Sequence, residues 1–147
     1  TAAAKSTTAG RIFVSNGPNA LVERAILDGV VETAQTTTST TYAALATPGP
    51  SVSLTTGALA FVFINADCAN STANIGAYAS FEVSGATTSA AIDGRAVKTE
   101  SVANGAVSAC RSTLFGPTPG SNTFNMMYRV LSNTGTFQRR RIQVIGL

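Results

Sequence analysis

Histidine is absent from this chain of 147 residues, and charged residues are scarce. The absence of histidine excludes Ser-His-Asp and Cys-His nucleophile systems, histidine general bases and metal sites built on imidazole. Charged residues make up 12% of the chain and the net charge is only +3, whereas a nucleic-acid-binding protein normally shows a basic face with interleaved aromatic residues. We therefore expect no nucleic-acid partner.

Cysteine is also rare, because Cys68 and Cys110 are the two that the chain contains. Two cysteines are too few for a disulfide framework, and the sequence leaves open whether they pair with each other. Neither has neighbours at zinc-ligand spacing, and no phosphate-binding glycine motif occurs. The seven carboxylates show no pairing that would indicate acid–base catalysis. We therefore expect no enzyme activity, no metal and no other cofactor.

Long apolar runs are missing too. The longest, residues 58–64, has the length of a strand and is too short to cross a membrane, so we expect no membrane partner. What the chain does contain is a series of short segments rich in β-branched and aromatic residues, including the threonine run at residues 36–42, with glycine and proline between them. About eight such segments at intervals of roughly 8–12 residues predict an all-β fold, an antiparallel jelly-roll sandwich.

The last third of the chain gives the clearest pattern. Residues 123–130 and 136–145 are predicted to be consecutive strands joined by a turn at residues 132–135. The final strand is so apolar that we expect it to lie inside a sheet. Its apolar positions change phase between Phe137 and Ile142, which predicts a β-bulge near the three consecutive arginines.

Two of the predicted strands carry apolar residues on both faces. A strand of an antiparallel sandwich normally has one wet face, so residues 58–64 and 124–131 indicate a second covering surface. That surface is either another subunit or the N-terminal segment. The candidate core and subunit-interface residues are Phe61, Phe63, Met126, Met127, Tyr128 and Arg141.

The first 29 residues differ from the rest of the chain. Residues 1–10 contain no large apolar side chain and are predicted to form an arm. The next four, Arg11, Ile12, Phe13 and Val14, are predicted to form a short strand and are the candidate attachment residues. Pro18 suits the start of a short helix over residues 19–27. We therefore divide the chain into an attachment segment, residues 1–29, and a jelly-roll domain, residues 30–147.

Several stretches resemble a C1q/TNF-like jelly-roll module of bacteriophage virion proteins. They are residues 36–42, 45–52 and 81–88, then Phe124 with Tyr128-Arg129-Val130, and Phe137 with Arg141-Ile142. The resemblance implies a homotrimer on a virus particle. It defines no binding motif, so it assigns no binding residues.

The resemblance leads to two main hypotheses. The first is a non-enzymatic structural protein of a bacteriophage, namely a trimeric capsid decoration (cement) or minor capsid protein. Its N-terminal arm would bind the major capsid protein or other virion proteins at the virion surface, after assembly in the host cytoplasm. The alternative is a receptor-binding module of a tail or head fibre that recognises a host-surface glycan through loops at residues 65–76 and 116–122. A secreted C1q-type ligand ranks third, because no signal-peptide pattern is seen.

Overall fold

The protein folds into strands with almost no helix, as a computed structural model shows for residues 9–15, 17–18 and 20–147. These residues form ten strands and one 3₁₀ turn, Asp93–Arg95. The strands are β1 (Arg11–Ser15), β2 (Leu21–Val31), β3 (Gln35–Thr37), β4 (Ser51–Thr56), β5 (Ala60–Asn70), β6 (Ala77–Gly85), β7 (Val97–Thr99), β8 (Val107–Phe115), β9 (Gly120–Val130) and β10 (Gly135–Gly146).

The strands form two antiparallel sheets. The larger sheet has the order β1-β2-β10-β5-β8, with β3 also paired to β10, and the smaller has the order β4-β9-β6-β7. When β1 and β3 are set aside and the other eight are counted along the chain, the sheet orders become 1-8-3-6 and 2-7-4-5. This connectivity is a jelly roll, so the predicted fold class is confirmed. The last strand lies in the middle of its sheet, as predicted.

The core lies between the two sheets and follows the alternation of the sequence. In β9, the apolar residues of one face, Phe124, Met126, Tyr128 and Val130, are at most 1% exposed, and Asn122 is buried on the same face. In β10, the register against β5 shifts between Gln138 and Arg141. The backbone of Arg139 has a φ of 46° at this point. The predicted bulge is therefore confirmed, and it brings Ile142 into the core.

The helix predicted over residues 19–27 is wrong. Residues 21–31 form strand β2, which pairs with β1 on one side and with β10 on the other. Its alternate residues Ala25 and Leu27 contact the core, a period of two that an amphipathic helix would not show. Pro18 lies in the turn before β2. Strand β2 also runs across the predicted boundary between residues 29 and 30, and residues 1–8 of the predicted arm lie outside the described residues.

The threonine run is strand only at β3, and residues 38–50 then cross to the other sheet. Arg140 holds this crossover. Its guanidinium is fully buried and donates to the carbonyl oxygens of Thr33 at 3.0 Å and Thr47 at 3.2 Å. It also lies 5.5 Å from the ring centroid of Tyr128. The crossover approaches closely, since a Cβ on Gly49 would lie 2.6 Å from the Tyr128 hydroxyl.

Candidate interaction surface

The outer side of the larger sheet carries a row of apolar side chains that crosses four strands. The register places Ile26, Ile145, Phe61 and Leu114 side by side on β2, β10, β5 and β8. Ile26 is 42% exposed, Phe61 36% and Leu114 54%. These side chains point away from the core, and the described residues leave them exposed or partly exposed. We call this side of the larger sheet the apolar outer face.

Two phenylalanines of β5 extend the apolar outer face along the strand. Phe61 and Phe63 are two residues apart and point the same way, and their rings stack with centroids 5.8 Å apart at 17°. Both were predicted to lie in the core or a subunit interface, and both lie on the outer face. A stacked aromatic pair exposes a large apolar area at a low cost in side-chain entropy.

Arg141 lies on the same face, in line with Val30, Asn65 and Cys110 of the neighbouring strands. Its Nε and Nη2 atoms both donate to the Asp28 carboxylate at 2.8 Å. Hydrogen bonding to Asp28, together with its negative charge, raises the pKa of Arg141. The face therefore contains an ion pair whose two members are both open to solvent.

The cysteines do not pair with each other. Cys110 is exposed on the apolar outer face, while Cys68 is buried in the core, and both are free thiols. Burial, and secondarily the charge of Asp67, raises the pKa of the Cys68 thiol to about 12. Cys68 is therefore protonated and unreactive at neutral pH.

The outer side of the smaller sheet is polar. Its cross-strand rows consist mainly of serine, threonine, asparagine and charged residues, and Ser53 and Thr123 share a hydroxyl hydrogen bond of 2.7 Å. Met127 lies half-buried on this side, while Met126 and Tyr128 are in the core. The six predicted interface residues thus separate into three on the apolar outer face (Phe61, Phe63 and Arg141), two in the core and one on the polar side.

An Arg129 cluster, which sequence reasoning missed, covers one end of the polar side. The Arg129 guanidinium lies 4.0 Å from the ring centroid of Tyr78 and 5.5 Å from that of Tyr42. Its Nε donates to Asp93 at 2.9 Å, and the Tyr42 hydroxyl donates to the same carboxylate oxygen at 2.9 Å. The Arg129 hydrogen bond is the main cause of the lowered pKa of Asp93. No local pattern could reveal this cluster, because its partners are 36 and 51 residues apart.

The four predicted attachment residues form an edge strand. Arg11, Ile12, Phe13 and Val14 belong to β1 and pair with residues 22–25 of β2. A pocket of about 300 Å³ lies between this hairpin and residues 57–59. Their role in attachment stays a prediction.

The two predicted glycan-binding loops do not share a surface. Residues 65–70 belong to β5, and residues 71–76 lie at the end of the sandwich where Ser71 N–H donates to the Thr134 carbonyl at 2.8 Å. Residues 116–119 lie at the other end, where Thr118 N–H donates to the Thr87 hydroxyl at 2.7 Å. A single ligand could therefore contact only one of the two loops.

The described part of the chain lacks two further kinds of site, a metal cluster and a membrane-spanning helix. No group of three or more histidine, cysteine, aspartate or glutamate side chains is placed there to hold a metal ion. Within the same residues, no helix is long and apolar enough to cross a membrane.

Comparison with known proteins gives a fold but no family. No family model matches the chain, and no curated protein matches it. A chain in the structure of infectious bursal disease virus, Gx strain, matches with a TM-score of 0.55 and 9% sequence identity. The match covers 90% of this chain but only 36% of the viral chain, so this protein spans about a third of that chain's length. The likeness shows that the fold is shared, while C1q/TNF-like and bacteriophage membership stay predictions.

Proposed function

We propose that this protein is a non-enzymatic structural component of a virus particle, a bacteriophage capsid decoration or minor capsid protein that works as a homotrimer. The observation that carries the proposal is the apolar outer face. Four exposed large apolar side chains lie on it, Ile26, Val30, Phe61 and Leu114, whereas the strands of the smaller sheet carry none among the described residues.

An exposed apolar surface of this kind is a signal of assembly. Monomeric soluble proteins rarely expose contiguous apolar patches larger than a few hundred Å². Subunit contacts are enriched in aromatic residues and arginine, which are the types found at Phe61, Phe63 and Arg141. A second copy that covers this face would also explain why β5 is apolar on both sides.

The engagement of the charged groups agrees with a structural role. Asp67 is buried and accepts hydrogen bonds from Ser108 and Arg139. Asp28 and Asp93 are bound by Arg141 and Arg129. These carboxylates link strands and loops within the chain, so they are not free for acid–base chemistry. In the proposed virion, the N-terminal region would bind the major capsid protein or another virion protein at the particle surface.

The role is tested by the copy number of the protein in purified particles, measured by quantitative mass spectrometry against the major capsid protein. A ratio near one copy per few capsid subunits is expected for decoration. A few trimers per particle would instead indicate a collar, tail or fibre. Complete absence from particles would contradict a structural virion role.

A receptor-binding role is the second candidate, and one end of the sandwich favours it. Asn74, Asn104 and Asn133 all have φ near 60° in three different loops at this end. Hydrogen bonds join the loops, including Asn104 N–H to the Asn70 carbonyl at 2.7 Å. The result is a preorganised surface of uncharged amide and hydroxyl groups, which suits a neutral glycan. Binding to a glycan array that Asn104→Ala abolishes would support this role, and no binding to any glycan would remove its basis.

A further inference from the structure

Arg24 is an arginine without a partner on the apolar outer face. It lies on β2 opposite Ile12, two residues before Ile26, and therefore points to the outer side of the sheet. Its guanidinium makes no hydrogen bond or ion pair within the described residues, and its Nε atom is shut off from solvent. A buried donor without an acceptor is unfavourable, so the described residues leave this arginine incompletely satisfied.

The pocket around Arg24 is mainly apolar, and Ser15 is its other polar side chain. It has a volume of about 300 Å³, and its walls include Val14, Val22, Leu59 and Leu147. Leu147 is fixed by hydrogen bonds of 2.9 Å to the backbone of Gly57 and Leu59. A guanidinium with aliphatic walls suits a carboxylate carried on an aliphatic group. The pocket lies at one end of the apolar outer face, because Leu59 precedes Phe61 by two residues.

Glu32 is the carboxylate that matches this pocket. It is exposed and has no hydrogen-bond or ion-pair partner among the described residues, whereas Asp28, Asp67, Asp93 and Glu100 are all in ion pairs. Its negative charge makes a small contribution to the raised pKa of Arg141, which is already bound to Asp28. It stands two residues after Val30, which is 46% exposed on the same face. Of the other two acids, Glu82 is on the polar side and Glu23 points to the opposite side of β2 from Arg24.

Arg24 and Glu32 of one chain cannot meet. They lie eight positions apart along β2 and its extension, about 26 Å at the rise of an extended strand. Two groups of opposite charge at opposite ends of one face are instead placed to pair between copies. Such a head-to-tail contact repeats around a ring when the rotation closes, which a trimer does.

We propose that the Arg24 pocket receives Glu32 of a second copy, with Val30 of that copy against the aliphatic walls. This inference rests on the homotrimer proposed above and identifies the contact that sets its direction. The Glu32 carboxylate accepts the hydrogen bonds that Arg24 lacks among the described residues. The contact fixes how neighbouring copies are aligned with each other, which the apolar row alone would not define.

The test is a charge swap followed by sedimentation equilibrium. Arg24→Glu and Glu32→Arg are each expected to raise the dissociation constant of the trimer at least about tenfold, because like charges then face each other. The double variant is expected to return to within about threefold of the wild type. Matched controls are Glu82→Arg on the polar side and Arg11→Glu on the core side of β1, which should leave association unchanged.

If a reversed charge prevents folding, a double-mutant cycle with uncharged glutamine substitutions can replace the charge swap. Arg24→Gln and Glu32→Gln should each weaken the trimer, and the double variant should be no weaker than the weaker single. Additive losses in this cycle, or a charge-swapped double variant no tighter than either single, would overturn the inference. If the wild type is a trimer and the cycle shows no coupling, only this contact is wrong. A monomeric wild type would overturn both this contact and the proposed assembly.

Discussion

The two outer sides of this sandwich obey the same alternation but carry opposite chemistry. On β4 and β9 the outward positions hold residues such as Ser53 and Thr123, as expected for a solvated sheet. On β5 and β10 the outward positions include Phe61 and Ile145. The core needs only one face of each strand, and the described residues leave the apolar outer face uncovered. We propose that other copies of the chain cover it.

The charged groups on the two sides differ in the same way. On the polar side, Arg129 binds Asp93, and Lys98 lies 2.6 Å from Glu100. On the apolar outer face, Arg141 binds Asp28, whereas Arg24 has no partner among the described residues. In the proposed trimer, a second copy supplies the partner that Arg24 lacks.

The largest expected effect comes from placing an aspartate at an inward position of β9 and comparing it with an aspartate at the adjacent outward position. Tyr128→Asp places a carboxylate at a fully buried site, which should cost more than about 4 kcal/mol and prevent folding. Met127→Asp, one residue earlier on the polar side, should cost less than about 1 kcal/mol. Urea denaturation of the two variants measures both. Similar losses for the pair would contradict the assignment of their faces.

The next effect compares a charge placed on each outer side. Phe63→Glu should weaken trimer association at least about a hundredfold, because a charge would be desolvated in the interface. Ser53→Glu on the polar side should leave association unchanged. Dilution series by light scattering give the two constants. Equal association of both variants with the wild type would show that the apolar outer face is not the interface.

A smaller effect is expected when the Arg129 cluster is broken. Arg129→Gln removes the bond to Asp93 and the contacts with two tyrosine rings. We expect a loss of about 1–2 kcal/mol in unfolding free energy, with trimer association unchanged. Thermal unfolding and sedimentation of the same sample separate the two quantities. Weaker association would mean that the polar side also takes part in assembly.

The smallest effect is a pH dependence on the polar side. The pKa of Asp93 is lowered in the folded chain, so its ionised form stabilises the fold above the unfolded pKa of about 3.9. This contribution is lost as the pH falls through the folded pKa. Because Asp93 is largely exposed, the change should stay below about 1 kcal/mol. Asp93→Asn should remove this part of the acid dependence in unfolding curves between pH 5 and 2, and an unchanged curve would contradict it.

The elements that the sequence predicts correctly are those governed by alternation. The period of two in β9 identifies Phe124 and Tyr128 as core, and the phase change in β10 predicts its bulge. The same bulge decides the roles of three consecutive arginines. Arg139 binds Asp67, Arg140 is buried and Arg141 lies on the apolar outer face. The run itself could not assign these roles, because they depend on where one extra residue is accommodated.

The wrong predictions share a physical cause. A local helix signal at Pro18 was outweighed by pairing of β2 with β10, about 115 residues later in the chain. Only the first two residues of the threonine run, Thr36 and Thr37, form a strand, because β10 pairs with β3 only at Gly135–Phe137. The sequence does predict that two strands with two apolar faces need a second covering surface. It does not predict the apolar row across four strands, because that row depends on the pairing registers of segments that are distant in the sequence.

The most direct test of this account is the mass of the purified wild-type protein at micromolar concentration, measured by light scattering beside two variants. We expect the wild type to have the mass of three chains. Phe61→Glu on the apolar outer face should give the mass of one chain. Val102→Glu should stay a trimer, although Val102 is 73% exposed, because it lies in a loop at the end of the sandwich. A wild-type protein with the mass of one chain would contradict the central claim that other copies cover the apolar outer face.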